Sequence, residues 1–162
     1  MSLSKSELSR YSRHIKLKEV GIAGQEKLKA AKILVIGAGG LGCPVLQYLT
    51  AAGVGTIGII DGDTIEESNL QRQVLFAQAD LKLPKAKTAA LKLKAQNPNV
   101  NFKVANTALT KENALSLIEP FDIIVDCTDN FPTRYLINDA CILSNKPLVF
   151  GAIHQFDGQV SV

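Results

Sequence analysis

The sequence is short of cysteine, of long apolar runs and of any strong charge imbalance, and each shortage removes a class of protein. Its three cysteines, Cys43, Cys127 and Cys141, are odd in number, far apart and without a C-x-x-C pair. A disulfide scaffold needs even numbers at close spacing, so these three fit a reducing compartment and small buried side chains. No apolar run approaches membrane-spanning length, and no signal-peptide core follows Met1. A soluble, cytoplasmic protein with no membrane partner is therefore expected. Net charge is only +3, with a pI near 8.8. The lysines are scattered over helical positions, which gives solvated faces and no nucleic-acid patch, though an anionic ligand would be welcome. Repeats and low-complexity segments are also absent. What remains is a chain of 162 residues, 46% hydrophobic, long enough for one domain with a full core.

That domain is organised around residues 32–63. Ile33, Leu34, Val35 and Ile36 form a β-branched apolar run too short for a helix, which predicts a buried strand. Gly37-Ala38-Gly39-Gly40-Leu41-Gly42 then fits G-x-G-x-x-G. Residues 45–52 carry apolar side chains at helical spacing, and Gly53 and Gly55 end them. A second apolar run, residues 57–60, finishes in Asp61 and Asp63. Strand, glycine turn, helix, strand and a distal acid predict the nucleotide-binding half of a Rossmann-like unit. Gly37 and Gly39 allow a sharp turn and bare backbone N–H groups against a phosphate. Gly42 lets the helix pack close to the strand, and the helix N-terminus favours an anion. Asp61 is placed to accept from ribose hydroxyls. Cys43, in the first helical turn, reads as a packing residue beside the loop, although a thiolate would be stabilised there.

Around this unit the pattern predicts an α/β fold: a Rossmann-like, mostly parallel sheet with helices on both faces, preceded by N-terminal helices. Residues 4–18 read as one helix, with Ser4 and Glu7 forming a capping box and Leu8, Tyr11 and Ile15 on one face. Arg10 and Arg13 on that helix read as surface charges, the alternative being a reach across a dimer to a neighbour's phosphate. A bend at Gly21 and Gly24 leads to a helix over residues 25–31. After Asp63, Ser68 and Asn69 have capping chemistry and Arg72 follows near the ligand edge of the sheet, where its planar fork could grip phosphate. Pro84 opens a lysine-rich helix to residue 95, with Ala86, Ala89, Ala90 and Leu93 buried. Lys85 in its first turn opposes the helix dipole, and an anion held in front of it would explain it.

A third strand over residues 101–105 and a helix over 110–119 follow. A buried strand over 121–125 then ends in Asp126-Cys127-Thr128-Asp129-Asn130. Asp129 reads either as the N-cap of a helix over 131–143 or as a carrier of Mg²⁺. Residues 146–151 form a fifth strand, and residues 152–162 a hairpin about an Asp157-Gly158 turn. A sheet ending at Val162 without a return predicts a single domain over 1–162 that is cut at its C-terminal end.

Taken together, Arg10-Tyr11-Ser12-Arg13-His14-Ile15, the glycine loop through Cys43, Asp61-Gly62-Asp63, Ser68-Asn69-Leu70-Gln71-Arg72-Gln73, Pro84-Lys85 and Asp126-Cys127-Thr128-Asp129-Asn130 resemble the MoeB/ThiF/HesA family. These are bacterial relatives of ubiquitin-activating enzymes, and the likeness runs in order along essentially the whole chain. The resemblance implies ATP-dependent adenylation of the Gly-Gly carboxylate of a ubiquitin-like sulfur-carrier protein, with Mg²⁺ and release of pyrophosphate. It places Gly37, Gly39, Gly40 and Gly42 against the nucleotide, Asp61 on the ribose with Asp63 beside it, and Asn69 and Arg72 on the phosphates. It also implies that Lys85 neutralises phosphate charge, that Asp129 carries Mg²⁺, and that Arg13 reaches the triphosphate from the other subunit of a homodimer. The two C-x-x-C pairs that hold structural Zn²⁺ in many members are missing, so no zinc is assigned to this chain. A non-catalytic nucleotide- or carrier-binding module and an NAD-dependent oxidoreductase domain are the alternatives.

Overall fold

The alternation of apolar runs and helical stretches resolves into seven α-helices, two short 3-10 helices (Glu67–Asn69 and Gln78–Asp80) and six strands in the computed structural model, which describes residues 2–162. The α-helices are α1 (Lys5–Arg10), α2 (Ser12–Ile15), α3 (Gly21–Ala30), α4 (Gly42–Ala52), α5 (Lys85–Gln96), α6 (Ala114–Ile118) and α7 (Phe131–Leu143). The strands are β1 (Lys32–Ile36), β2 (Thr56–Ile60), β3 (Asn101–Ala105), β4 (Ile123–Asp126), β5 (Leu148–His154) and β6 (Asp157–Ser161). They form one sheet in the order β3-β2-β1-β4-β5-β6, parallel throughout except for the antiparallel pair β5 and β6. The expected Rossmann-like architecture is what the chain adopts.

The period-two geometry of a strand explains why helices cover both faces. On β1, Ile33 and Val35 point into a core shared with Leu46 of α4 and Leu93 of α5. Leu34 and Ile36 point the other way, towards Ile118 of α6 and Ile137 of α7. The four are at most 8% exposed, so β1 is buried on both sides. Each such side chain removed from water contributes about 1.5–3 kcal/mol. Gly58 on β2 is required by this packing, since a Cβ there would overlap the rings and methyls of Phe121 and Leu34.

Several local expectations are corrected. The N-terminal helix over 4–18 is broken at Tyr11, whose ring is buried against Gly53 and whose hydroxyl accepts from Asn97 Nδ2 at 2.8 Å. The Ser4–Glu7 capping box is present, but Leu8 is exposed. The next helix starts at Gly21, where a φ of 57° suits glycine, and runs straight through Gly24. Residues 110–113 form a turn held by Asn113 Oδ1, which accepts from Thr110 N–H, so α6 is shorter than expected. The β5–β6 hairpin turns at Gln155 and Phe156, with Gln155 at φ 54°, and not at Asp157-Gly158, which lie inside β6. Asn130, not Asp129, caps α7: its Oδ1 accepts from Thr133 N–H at 3.0 Å.

Candidate active site

Strand order reverses between β1 and β4, because β2 and β3 are laid down on one side of β1 and β4 and β5 on the other. The loops leaving these strands diverge there and open a cleft at the C-terminal ends of the strands. A cavity of about 470 Å³ occupies this position. The turn after β1, the acids after β2, the loop after β3 and the segment after β4 all line it.

The glycine turn forms its floor. Gly37 adopts φ 94° and packs on the Cys127 carbonyl, where a Cβ would come within 2.9 Å of the oxygen. A Cβ on Gly42 would overlap the Gly37 carbonyl, so the close helix-to-strand approach holds as expected. By contrast, a Cβ on Gly39 would meet nothing nearer than 3.7 Å. Among the described residues, the N–H groups of Gly39, Gly40 and Leu41 have no acceptor. Three successive unpaired donors at the start of α4 form a cradle for an anion.

Acids and bases stand around this floor. Asp61 Oδ2 accepts from Ala38 N–H at 2.7 Å and its Oδ1 from Asp63 N–H at 2.8 Å. Burial raises its pKa above the usual carboxylate value, while those two N–H groups and Lys85 act in the opposite direction. Each oxygen keeps lone-pair capacity for a hydroxyl donor. Lys85 is 6% exposed, and its Nζ contacts Asp63 Oδ2 at 3.0 Å, a partner whose side chain is 74% exposed. The dipole-opposing lysine therefore has a carboxylate partner already. Its ammonium carries three donors and uses one of them. Arg72 lays its stem over Gly40, with Cδ 3.4 Å from where a Cβ would sit, and its Nη1 donates to the Ser68 carbonyl at 3.4 Å.

On the far side, the backbone and hydroxyl of Thr128 donate to Asp126 Oδ1 at 2.8 and 2.7 Å. The Arg134 guanidinium donates twice to the Thr128 carbonyl, at 3.2 and 2.7 Å, with its plane near the Phe150 ring. This pins the loop that presents the exposed carboxylate of Asp129 to the cleft.

Of the sequence-derived site residues, the cleft gathers Gly37, Gly39, Gly40, Asp61, Asp63, Arg72, Lys85 and Asp129. Gly42 supports it from beneath. Asn69 does not line it; its Nδ2 donates to Ser68 Oγ at 3.4 Å. Arg13 is exposed on α2 and stands outside this chain's own cleft. Sequence reasoning missed Gln73, Arg134 and the residues Thr107, Ala108 and Leu109, all of which line it. Arg134 carried the same signal as Lys85, a basic residue in the first turns of a helix.

Cys43 is the packing residue expected. Its Sγ donates to the Ala38 carbonyl at 3.4 Å, and burial pushes its pKa up to about 11, so the helix start does not produce a thiolate. Cys127, beside the cleft, is pushed up to about 12 by burial and Asp126. Among the described residues no cluster of three or more potential metal ligands occurs, and no helix is long and apolar enough to cross a membrane.

The profile of the ThiF family matches residues 11–162. The chain is 56% identical to a sulfur carrier protein adenylyltransferase of Thermus thermophilus, over 100% of this chain and 60% of that protein. It is 52% identical to a probable adenylyltransferase/sulfurtransferase, MoeZ, of Mycobacterium tuberculosis, over 99% of this chain and 41% of that one. The chain thus spans less than two thirds of the length of either relative. Among solved structures, the E. coli tRNA N6-threonylcarbamoyladenosine dehydratase TcdA superposes with a TM-score of 0.90 over 97% of this chain and 65% of its own, at 24% identity. E. coli MccB superposes at 0.79 with 31% identity, over 88% of this chain and 44% of its own. Matched by that profile over all but its first ten residues, the chain belongs to the ThiF family.

Proposed function

We propose that the cleft binds Mg²⁺-ATP, and that a protein of the relatives' length uses it to adenylate the C-terminal Gly-Gly carboxylate of a ubiquitin-like sulfur carrier. The observation that carries this reading is the run of three unpaired N–H groups at Gly39, Gly40 and Leu41, in a cleft also lined by Lys85, Arg72 and Asp61. A hydroxyl-bearing sugar suits the carboxylate end, and phosphates suit the donor floor. The printed activity of the Thermus and Mycobacterium relatives supports the same chemistry.

The reaction needs little from the protein beyond alignment and charge neutralisation. A peptide carboxylate is ionised at neutral pH, so no general base is required. Its oxygen forms a bond to the α-phosphorus as the α–β bridging P–O bond breaks, and pyrophosphate leaves with the electron pair. Charge spreads over the phosphoryl oxygens, and fixed donors there lower the barrier. Gly39, Gly40 and Leu41 N–H, Arg72 and Lys85 supply those donors. Asp61 orients the ribose through its remaining lone pairs. Asp129, exposed at the rim and without a hydrogen-bond partner among the described residues, fits one carboxylate position for Mg²⁺, which takes one or two carboxylates plus phosphate oxygens. When bound, the ion shields the negative charge of the triphosphate.

Arg13 belongs to this reading as a residue supplied by a second copy. Its exposure and its absence from the lining of its own cleft suit a homodimer in which each protomer completes the other's triphosphate site. Asn69 is assigned a phosphate contact only by family likeness, and binding would have to turn its amide away from Ser68.

ATP–pyrophosphate isotope exchange by the full-length protein tests the proposal. Exchange that requires Mg²⁺ and a Gly-Gly-terminated carrier is expected, with Asp129→Ala reducing it by roughly a hundredfold while the melting temperature holds. Exchange without a carrier, or none with any carrier, contradicts it. Protection from unfolding by NAD but not by Mg²⁺-ATP would point to a dehydrogenase instead.

A further inference from the structure

Gln73 stands out in the cleft because it is only 4% exposed, yet among the described residues no donor reaches its buried Oε1. No acceptor for its Nε2 occurs among the described residues either, although the residue lines the cavity. A buried amide oxygen left unpaired destabilises a fold, and such groups are rare in folded proteins. The backbone beneath is well held: Gln73 N–H donates to the Asn69 carbonyl at 2.9 Å, and its carbonyl accepts from Phe76 N–H at 3.0 Å. The main chain that carries the amide is therefore fixed.

Where the amide sits explains why the fold tolerates it. Nε2 lies 3.7 Å from the point where a Cβ on Gly39 would stand, while Arg72 covers Gly40. Two consecutive residues thus lie, in reverse order, over two consecutive glycines of the anion cradle. One brings a charged fork and the other a neutral donor.

We propose that Gln73 is a phosphate-binding residue, whose Nε2–H donates to a phosphoryl oxygen seated on the N–H groups of Gly39, Gly40 and Leu41. The inference rests on the reading of the cleft as a triphosphate site and adds a contact to it. The unpaired Oε1 is the stability the fold gives up to keep that donor available, a trade of stability against function. A neutral amide suits this place, because it binds the anion without attracting the Asp61 and Asp63 carboxylates that already engage Lys85 and the backbone.

The test is calorimetric binding of Mg²⁺-ATP and of adenosine to the full-length protein, with thermal melting, for the unaltered chain, Gln73→Leu and Gln73→Glu. Gln73→Leu removes donor and orphan oxygen together. We expect it to melt at the same or a higher temperature, to bind ATP roughly tenfold more weakly, and to keep its adenosine affinity. Gln73→Glu keeps the shape but places a carboxylate against phosphate, and should weaken ATP binding further still. ATP affinity of Gln73→Leu within about twofold of the unaltered protein would overturn the inference. So would an equal loss for adenosine, or a lowered melting temperature. Failure of the unaltered protein to bind Mg²⁺-ATP would overturn the cleft assignment itself, a separate result.

Discussion

Two glycines of the same turn should fail in opposite ways. At Gly42 a methyl group overlaps the Gly37 carbonyl, so Gly42→Ala must push α4 off β1. A loss of about 2 kcal/mol or more is expected, read as a lower melting temperature. At Gly39 the same methyl group finds room, with only the Gln73 amide 3.7 Å away, but it fills the floor of the anion cradle. Gly39→Ala should melt normally and bind Mg²⁺-ATP at least tenfold more weakly by calorimetry, a difference of about 1.4 kcal/mol. Equal melting of the two variants would contradict this division of labour. For Lys85, replacement by Ala should slow pyrophosphate exchange by roughly a hundredfold, and Lys85→Arg should not rescue it, because a planar fork does not fit a nearly buried ammonium site. At this scale the sequence was informative wherever residue type alone dictates chemistry. The glycines, Asp61, Arg72 and Lys85 could be picked out in that way. Gln73 could not, because a glutamine is unremarkable until its burial and missing partners are seen.

The N-terminal helices behave as an arm docked on the nucleotide-binding unit. Glu7 is buried, and its Oε2 meets Lys29 Nζ of α3 at 2.8 Å. Burial alone would raise its pKa. The Lys29 ammonium and the Ser4 hydrogen bonds outweigh that, and the pKa ends below the ordinary value of 4.5. A folded pKa below the unfolded one contributes stability that is present above about pH 4.5 and is lost as pH falls through the folded value. The protection of the amides of residues 5–15, relative to their intrinsic exchange rates, should therefore fall below pH 4.5 before that of the sheet, and Glu7→Gln should show the same loss of protection at pH 7. Uniform protection of arm and sheet through this range would contradict it. The three cysteines give a second expectation for the elements that bury them. With pKa values pushed up to about 11 for Cys43 and Cys141 and about 12 for Cys127, only roughly a thousandth or less of each is thiolate at pH 8. Alkylation by iodoacetamide at that pH should be slow in the native protein and fast in denaturant. Capping was legible in this part of the chain, because the Ser4–Glu7 pattern is local. The break at Tyr11 was not, because it is set by Gly53 and Asn97, which are distant in sequence. The hairpin turn was misplaced for a related reason: Asp-Gly is a good turn pair, but the register of β5 against β6 put Gln155 and Phe156 at the tip.

At the level of the whole molecule, strand order decides where chemistry can occur. Parallel pairing and helices on both faces followed from buried β-branched runs alternating with helical patterns, and these are visible in the chain. Their order in space placed four separate loops at one edge and converted scattered motifs into a single cleft. The contributions of the 107–109 loop and Arg134 arise only from that convergence. The loop's own sequence announces no ligand, and the basic residue near the start of α7 acquires a target only when the cleft is assembled. The position of Arg13 outside its own cleft is likewise a property of the assembled molecule, and ties its proposed role to a second copy. The central claim, that this cleft activates a carrier carboxylate, is tested most directly by intact mass spectrometry of a Gly-Gly-terminated carrier incubated with the full-length protein and Mg²⁺-ATP. A carrier species heavier by one adenylyl group is expected, absent without Mg²⁺-ATP and absent with a carrier lacking its terminal glycine. A carrier of unchanged mass, under conditions where the protein demonstrably binds ATP, would contradict it.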